Sequence, residues 1–132
     1  MTTAIDTLMK GLRYRGMEGQ LSFFLHRLTG LGTLLFLTIH VLDTSTAYFF
    51  PELYDHAVAI YRLPIFMLGE IGLVAAVIYH GVNGLRIILY DLYPQFWVPR
   101  LEKNGAFFTL GLSFLLWLPA AIVMLRSLIE HL

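Results

Sequence analysis

Three apolar runs, each long enough to cross a lipid bilayer, constrain the fold of this chain more than any other feature. They cover residues 23–50, 63–89 and 106–125. A transmembrane helix needs ~20 apolar residues to cross ~30 Å of hydrocarbon. The runs are apolar almost throughout and do not alternate as membrane strands do, so the pattern favours helices. We therefore predict an all-α membrane protein with an N-terminal arm over residues 1–20 and three transmembrane helices within 21–132, at about 22–50, 63–91 and 105–128.

The composition excludes several other classes of protein. Only 14% of the residues are charged and 58% are hydrophobic, whereas an ordinary soluble domain is about 25% charged. The formal net charge of +0 gives no reason to expect a nucleic-acid partner. The absence of cysteine excludes disulfides and cysteine-ligated metal clusters within this chain. After these exclusions, the composition is that of a small integral membrane protein.

The basic residues predict the orientation of the chain in the membrane. The first arm and the second connection, with the helix ends that adjoin them, carry seven: Lys10, Arg13, Arg15, Arg27, Arg86, Arg100 and Lys103. The other side carries only Arg62 and Arg126. Because positive charge is retained in the cytoplasm, the amino terminus is expected inside and the carboxyl terminus outside.

Aromatic residues that flank the spans are expected to anchor them at the interfaces. They are Tyr90, Tyr93 and Trp97 inside, and Tyr48, Tyr54 and Tyr61 outside.

His80 is the ionisable residue in the spans with the most informative surroundings. Gly72, Ala76 and Gly84 lie at spacings of four from it, so one stripe of the second helix is small residues around an imidazole. Small residues admit either another helix or the plane of a porphyrin. Neutral imidazole is a common axial ligand of haem iron. His80 is therefore either a haem ligand or a hydrogen-bond partner of a neighbouring helix.

His40 lies on the first helix, thirteen residues after Arg27 and so ~20 Å deeper. The expected depths of His40 and His80 differ by ~10 Å, so the two imidazoles are not expected to bind one iron. His40 either ligates a second haem or forms a hydrogen bond to another helix.

Two groups of polar residues lie at the cytoplasmic ends of the first two helices. His26 and Arg27 form one, and Arg86 with Asp91 forms the other. Such donors suit a haem propionate or a quinone carbonyl. In the alternative interpretation Arg27 reaches the lipid headgroups with its long side chain.

Two strings of residues resemble the cytochrome b subunit of succinate dehydrogenase. The first, SFFLHRLTG at residues 22–30, is similar to the opening of that family's first helix, a Ser-x-x-x-His-Arg-x-Ser/Thr-Gly pattern. The second is similar to its second-helix signature, in which His80, Gly84 and Arg86 are followed by Asp91. The resemblance covers about residues 17–92.

The resemblance implies the membrane anchor of complex II in a bacterial-type inner membrane. Such a subunit pairs with a second small three-helix subunit, and the two hold one b-type haem, or two in some variants. A flavoprotein subunit with FAD and an iron–sulfur subunit dock on the cytoplasmic face and pass electrons to a quinone. The resemblance makes His80 an axial haem ligand, places Arg86 near the propionates, and associates Arg27 with the quinone pocket. It also leaves open a higher oligomer of the complex.

The chain departs from the family pattern at three positions. His40 has no counterpart in the best-known single-haem members and resembles the variants in which two small subunits hold two haems. Phe23 stands where some members have a quinone-contacting Ser, and Ser22 lies one residue earlier, so the quinone pocket is either built differently or uses Ser22 after a small shift. Ile87 stands where many members have His after the signature Arg. Two alternatives stay open: the anchor of a quinol:fumarate reductase, and a haem-free structural anchor or small transport-complex subunit in which His40 and His80 join helices.

Overall fold

The computed structural model describes residues 18–96 and 98–130, and within these ranges the chain is helical apart from short connections. Its helices are α1 (Glu18–Phe49), α2 (Pro51–Tyr61), α3 (Pro64–Leu92) and α4 (Pro99–Glu130), with a 3₁₀ turn at Pro94–Phe96 between the last two. No strand occurs among the described residues. Three of the helices are long and apolar enough to cross a membrane, which confirms the predicted all-α membrane fold.

The three long helices form an antiparallel bundle with α3 at its centre. Helix α3 packs most extensively against α4 and next against α1, whereas α1 and α4 share a smaller contact. The start of α1, the end of α3 and the start of α4 therefore lie together, and we call this the Arg86 end. The end of α1, helix α2 and the start of α3 form the opposite end, which we call the Tyr61 end.

Two of the long helices begin before their predicted limits. Helix α1 begins at Glu18, inside the predicted arm, and α4 begins at Pro99, about six residues before its predicted start. Proline suits the first turn of a helix because its missing N–H would have no partner there, and α2, α3 and α4 all begin with one. Residues 1–17 of the predicted arm, with Lys10, Arg13 and Arg15, lie outside the described residues, as do Trp97 and the side chain of Arg100.

Helix α2 is an element that the sequence analysis treated only as a connection. Its signals are local: Pro51 stands at the first position, and Glu52 lies in the first turn, where a negative charge favours a helix. The helix packs mainly against α1. It therefore covers part of the Tyr61 end of the bundle.

The bundle is apolar outside and partly polar inside. Only 6 to 11% of the residues in the most apolar stretch of each long helix are buried, so most of the large apolar side chains face outward. In the described part of the chain, the buried side chains are small or polar apart from Leu128. They are Ser22, Asn83, Thr109, Ser113, Tyr79, Ala106, Ala121 and Leu128. Small and hydroxyl-bearing residues are typical of helix contacts in lipid. The outer surface requires lipid or other membrane chains to cover it.

Candidate functional site

The imidazole of His80 lies between α3 and α1 at the Arg86 end. Its Nδ1 is 3.1 Å from the backbone carbonyl oxygen of His26. A carbonyl oxygen only accepts hydrogen bonds, so Nδ1 carries the proton and donates it. The neutral imidazole then keeps a lone pair on Nε2, which is the arrangement that a metal-binding histidine uses.

The ring of His26 stacks on the ring of His80. The two ring centroids are 4.1 Å apart and the planes differ by 8°. Glycines on the facing helices make room for both rings. A Cβ at Gly30 would lie 2.8 Å from Cε1 of His80, and one at Gly84 would lie 3.5 Å from Cε1 of His26. Of the small residues spaced around His80 on α3, Gly84 therefore makes room for a side chain of α1. A Cβ at Gly72 would meet nothing within 4 Å.

Arg86 joins a buried polar cluster one and a half turns further along α3. Its Nη2 donates to Oγ of Ser22 at 2.9 Å. The Ser22 hydroxyl donates to Oδ1 of Asn83 at 3.0 Å and lies 3.2 Å from the hydroxyl of Tyr79. Ser22 is 5% exposed and Asn83 is 0% exposed. The first and second motifs of the sequence therefore meet through Ser22.

Several donors at this end of the bundle have no partner among the described residues. They are Nε and Nη1 of Arg86 and Nδ2 of Asn83, and Nδ1 of His26 is a further unpartnered buried nitrogen. A buried guanidinium N–H without an acceptor costs about 1–3 kcal/mol or more, since it has lost its water. Guanidinium donors fit carboxylate or carbonyl oxygens. The cluster is thus complementary to a group that brings an acceptor oxygen next to an imidazole.

Helix α4 closes the cluster on one side at Gly105. A Cβ at Gly105 would overlap the Tyr90 hydroxyl and would lie 3.5 Å from Cδ of Arg86. The guanidinium carbon of Arg86 lies 5.9 Å from the centre of the Tyr90 ring, within range of a cation–π interaction. Gly105 therefore allows the start of α4 to pack tightly beside Arg86.

Two predicted site residues lie at the same end but outside the cluster. Arg27 is exposed, and its guanidinium lies 4.8 Å from the centre of the Phe23 ring. Asp91 is exposed on the last turn of α3 and takes no part in the recorded hydrogen bonds of Arg86. The structure therefore brings together His26, His80, Gly84, Arg86 and Ser22, and leaves Arg27 and Asp91 on the surface.

His40 lies apart from this cluster, fourteen residues after His26 and so ~21 Å further along α1. Its side chain is exposed and lines a partly open apolar cavity of about 700 Å³ that α1, α2 and α3 form with Met124 of α4. Its ring packs on Phe36 with the centroids 5.3 Å apart. The polar groups around the cavity include Asp43, Tyr61 and Glu70. Because His80 lies against His26 and Gly30, His40 is ~15–21 Å away from it along α1, which is further than the ~10 Å expected from the sequence.

Asp43 accepts a hydrogen bond from the hydroxyl of Tyr61. From the sequence alone Tyr61 is expected only to anchor the chain at the interface, whereas in the structure it links α2 to α1. This hydrogen bond, together with burial, raises the pKa of Tyr61 above its usual 10.0. The link holds α2 against the cavity that His40 lines.

Sequence reasoning missed Asn83, Tyr79 and Gly105. Asn83 lay inside the second motif, and an amide within an apolar span is a signal of a polar contact. Tyr79 and Gly105 carried no comparable signal, because their roles depend on which residues of other helices face them. Among the described residues, no group of three or more His, Cys, Asp or Glu side chains lies together. A haem does not require such a group, because the porphyrin supplies four of the iron ligands and leaves only the axial positions to protein.

Three membrane-length helices that enclose an imidazole and a guanidinium define the class: an integral membrane protein with a polar site inside its helical bundle. Residues 11–121 match the family of succinate dehydrogenase/fumarate reductase transmembrane subunits. The chain is also 36% identical over 136 residues to the succinate dehydrogenase 2 membrane subunit SdhC of Mycobacterium tuberculosis, covering 99% of this chain and 98% of that one. The chain belongs to this family of transmembrane subunits, so it works in a membrane and with other chains of a complex.

Proposed function

We propose that this chain is the membrane-anchor cytochrome b subunit of a succinate:quinone oxidoreductase. In this proposal it pairs with a second small three-helix subunit and fixes the iron–sulfur subunit and the FAD-containing flavoprotein subunit to the membrane. It also binds haem b and forms part of the quinone site. One observation carries the proposal: at one end of the bundle, His80 uses Nδ1 for a hydrogen bond and leaves Nε2 for a metal, while Nε and Nη1 of Arg86 are buried without a partner among the described residues.

The donor atoms at the Arg86 end support a haem b site. Nε2 of His80 would ligate the iron, with its tautomer fixed by the hydrogen bond from Nδ1 to the His26 carbonyl. Nε and Nη1 of Arg86 would donate to a propionate, which would remove the cost of leaving them unpaired. A bound haem would accept and release electrons singly. The second axial ligand would come from the partner subunit.

The same end suits a quinone at the membrane surface. Arg86 and the exposed Arg27 place positive charge there, and such charge stabilises the negative charge that develops on a quinone oxygen during reduction. Ser22 belongs to this site through its hydrogen bond to Arg86. Asp91, exposed at the end of α3, is available to a quinone or to a docked subunit.

His40 supports a second candidate site. The cavity of about 700 Å³ that it lines is within the ~300–1,000 Å³ range of ligand sites. An imidazole in an apolar cavity suits a second haem, shared with the partner subunit. The proposed complex therefore contains one haem at His80, and two if His40 is also a ligand.

The test is the dithionite-reduced minus oxidised spectrum of the detergent-purified complex, with haem measured per flavin. We expect His80→Ala to lose the b-type band while the complex still contains flavin. Loss of part of the band in both His80→Ala and His40→Ala would establish two haems, and an unchanged band in His40→Ala would make His40 a packing residue. A wild-type complex without a b-type band would contradict the cytochrome assignment and leave a haem-free anchor.

The direction of electron flow is the remaining alternative. The matched family includes fumarate reductase subunits, whereas the curated relative is a succinate dehydrogenase subunit. We propose the succinate-oxidising direction in a bacterial inner membrane, with the amino terminus in the cytoplasm. Turnover of the purified complex with succinate and with fumarate separates the two, since faster fumarate reduction would favour the alternative.

A further inference from the structure

Asn83 is the polar side chain whose burial is hardest to explain by packing alone. It lies within a membrane-spanning helix with 0% of its surface exposed. Its Nδ2 has no partner among the described residues. A buried amide is unfavourable unless it forms hydrogen bonds, and an apolar residue of similar size would avoid that penalty. The contribution of Asn83 must therefore come from Oδ1, the half of its amide that is bonded.

Oδ1 of Asn83 fixes the direction of the Ser22 hydroxyl. An amide oxygen only accepts, so the Ser22 hydrogen points at Asn83 across the 3.0 Å contact. The Ser22 oxygen then directs its lone pairs toward its other neighbours, and Nη2 of Arg86 donates to it at 2.9 Å. If the amide were turned over, Ser22 would meet donors from both Asn83 and Arg86, and its own proton would lose the amide acceptor. The hydrogen bonds therefore run from Arg86 to Ser22 to Asn83.

These hydrogen bonds determine which nitrogens of the Arg86 guanidinium remain available to bind another group. Nη2 is held by Ser22 inside the bundle, while Nε and Nη1 stay buried and unpartnered. A guanidinium is planar, so fixing one nitrogen restricts the rotation of the other two. Ser22 is 5% exposed and donates its proton to Asn83, which favours a role through Arg86 over direct contact with a bound group.

We propose that Asn83 and Ser22 are positioning residues that hold the Arg86 guanidinium for an acceptor oxygen of a bound group. The inference rests on the proposed function, which places such a group at the Arg86 end. Two sources offer this chemistry, a quinone carbonyl and a haem propionate. Removing Ser22 or Asn83 leaves Arg86 in place but lets its guanidinium rotate, so binding of the acceptor oxygen weakens without loss of the charge.

The experiment uses the intact purified complex with the variants Ser22→Ala, Asn83→Leu and Arg86→Ala, and the double variant Ser22→Ala/Arg86→Ala. Ser113→Ala is the matched control, since Ser113 is also a buried hydroxyl in a membrane helix but its Oγ has no recorded partner. The measurements are KM and kcat with a soluble quinone, the haem midpoint potential, and flavin per complex as the assembly check. Ser22→Thr, which keeps the hydroxyl, tests rescue.

For a quinone acceptor, we expect Ser22→Ala and Asn83→Leu to raise KM about three- to tenfold, the effect of one lost hydrogen bond. For a propionate acceptor, we expect the same variants to shift the haem midpoint potential and leave KM unchanged. In either case the double variant should be no worse than Arg86→Ala, because Ser22 acts only through Arg86. Ser22→Thr should restore the wild-type value.

The outcomes separate this inference from the proposed function. If Arg86→Ala is impaired but Ser22→Ala behaves like Ser113→Ala, the positioning role is wrong and the proposed site stands. Additive losses in the double variant would also overturn the positioning role. If Arg86→Ala changes neither KM nor the potential, the proposed role of Arg86 fails as well. If the complex with Asn83→Leu does not assemble, the result for Ser22→Ala alone tests the positioning role, because that substitution removes only the hydroxyl oxygen and is the less disruptive of the two.

Discussion

At the scale of single residues, Gly30 decides whether the His80 imidazole can keep its place. The backbone of α1 at Gly30 faces the ring, and a Cβ there would lie 2.8 Å from Cε1. The ring cannot move away freely, because its Nδ1 is bonded to the His26 carbonyl and its face is stacked on His26. The site therefore requires a residue without a Cβ at position 30, and glycine is the one that meets this requirement.

Gly30→Ala should displace the His80 ring and lower the haem content of the purified complex, or shift its b-type band. The added methyl group overpacks the contact, which typically costs about 1–3 kcal/mol. The measurement is the reduced minus oxidised spectrum per flavin. Gly32→Ala is the control on the same helix, since its Cβ would meet nothing within 4 Å. Equal spectra for the two variants would contradict the assigned role of Gly30.

At the scale of elements, α2 packs against α1, and a hydrogen bond between side chains of the described residues also joins the two helices. Tyr61, the last residue of α2, donates to Asp43 on α1. The cavity that His40 lines lies beside this contact. Helix α2 is too short to cross a membrane, so the tie to α1 helps to fix its position.

The tie between α2 and α1 should depend on pH in the alkaline range. Because the pKa of Tyr61 is raised above 10.0 in the fold, its contribution to stability is fully present below pH 10. It is lost as the pH rises through the folded-state pKa. Tyr61→Phe should lower the melting temperature of the complex at neutral pH, by an amount equivalent to about 1 kcal/mol.

The melting temperatures of wild type and Tyr61→Phe should converge above pH 10. Tyr48→Phe is the control, since Tyr48 is 85% exposed and its ring packs on the neighbouring Phe49. A constant difference between wild type and Tyr61→Phe across the alkaline range would show that the hydroxyl contributes nothing through ionisation.

The contact between α3 and α4 depends on a close approach at Gly105. A Cβ there would overlap the Tyr90 hydroxyl, so Gly105→Ala should push the two helices apart next to Arg86. We expect a loss of about 1–3 kcal/mol, measured as reduced thermal stability of the complex. Gly111→Ala, six residues further along α4 and with nothing within 4 Å, should be neutral or slightly stabilising, since alanine favours helices. Equal losses would place the effect outside this contact.

At the scale of the whole molecule, the bundle presents apolar side chains to its surroundings and keeps polar groups between its helices. Such a surface is stable only against lipid or other membrane chains. Basic residues such as Arg86 and Lys103 lie at one end, whereas Arg62 follows α2 at the other. This asymmetry is the basis of the proposed orientation.

Single-cysteine labelling should reveal the orientation directly, because the natural chain has no cysteine to remove. Asp55→Cys, on the exposed side of α2, should react with a membrane-impermeant maleimide added to intact cells. Lys103→Cys, exposed at the start of α4, should react only after the membrane is opened. The reverse pattern would place the Arg86 end outside and contradict the proposed docking of the soluble subunits there.

The sequence by itself determined the fold class, the three spans and the polar residues that lipid would not tolerate. These follow from local properties, since a segment of ~20 apolar residues must satisfy its own backbone in a bilayer. The two motifs also made His80 and Arg86 candidate site residues, and the family that the motifs indicated is the one that the chain matches.

Only the tertiary structure decided which of these residues meet. It stacked His80 on His26, bonded Ser22 to Asn83 and Arg86, and left Arg27 and Asp91 exposed. It also showed that the connection after α1 contains helix α2 and that Tyr61 forms a hydrogen bond to Asp43. Contacts of this kind depend on the rotation and offset of one helix against another. Those are set by small residues such as Gly30 and Gly105, whose role exists only once the facing helix is in place.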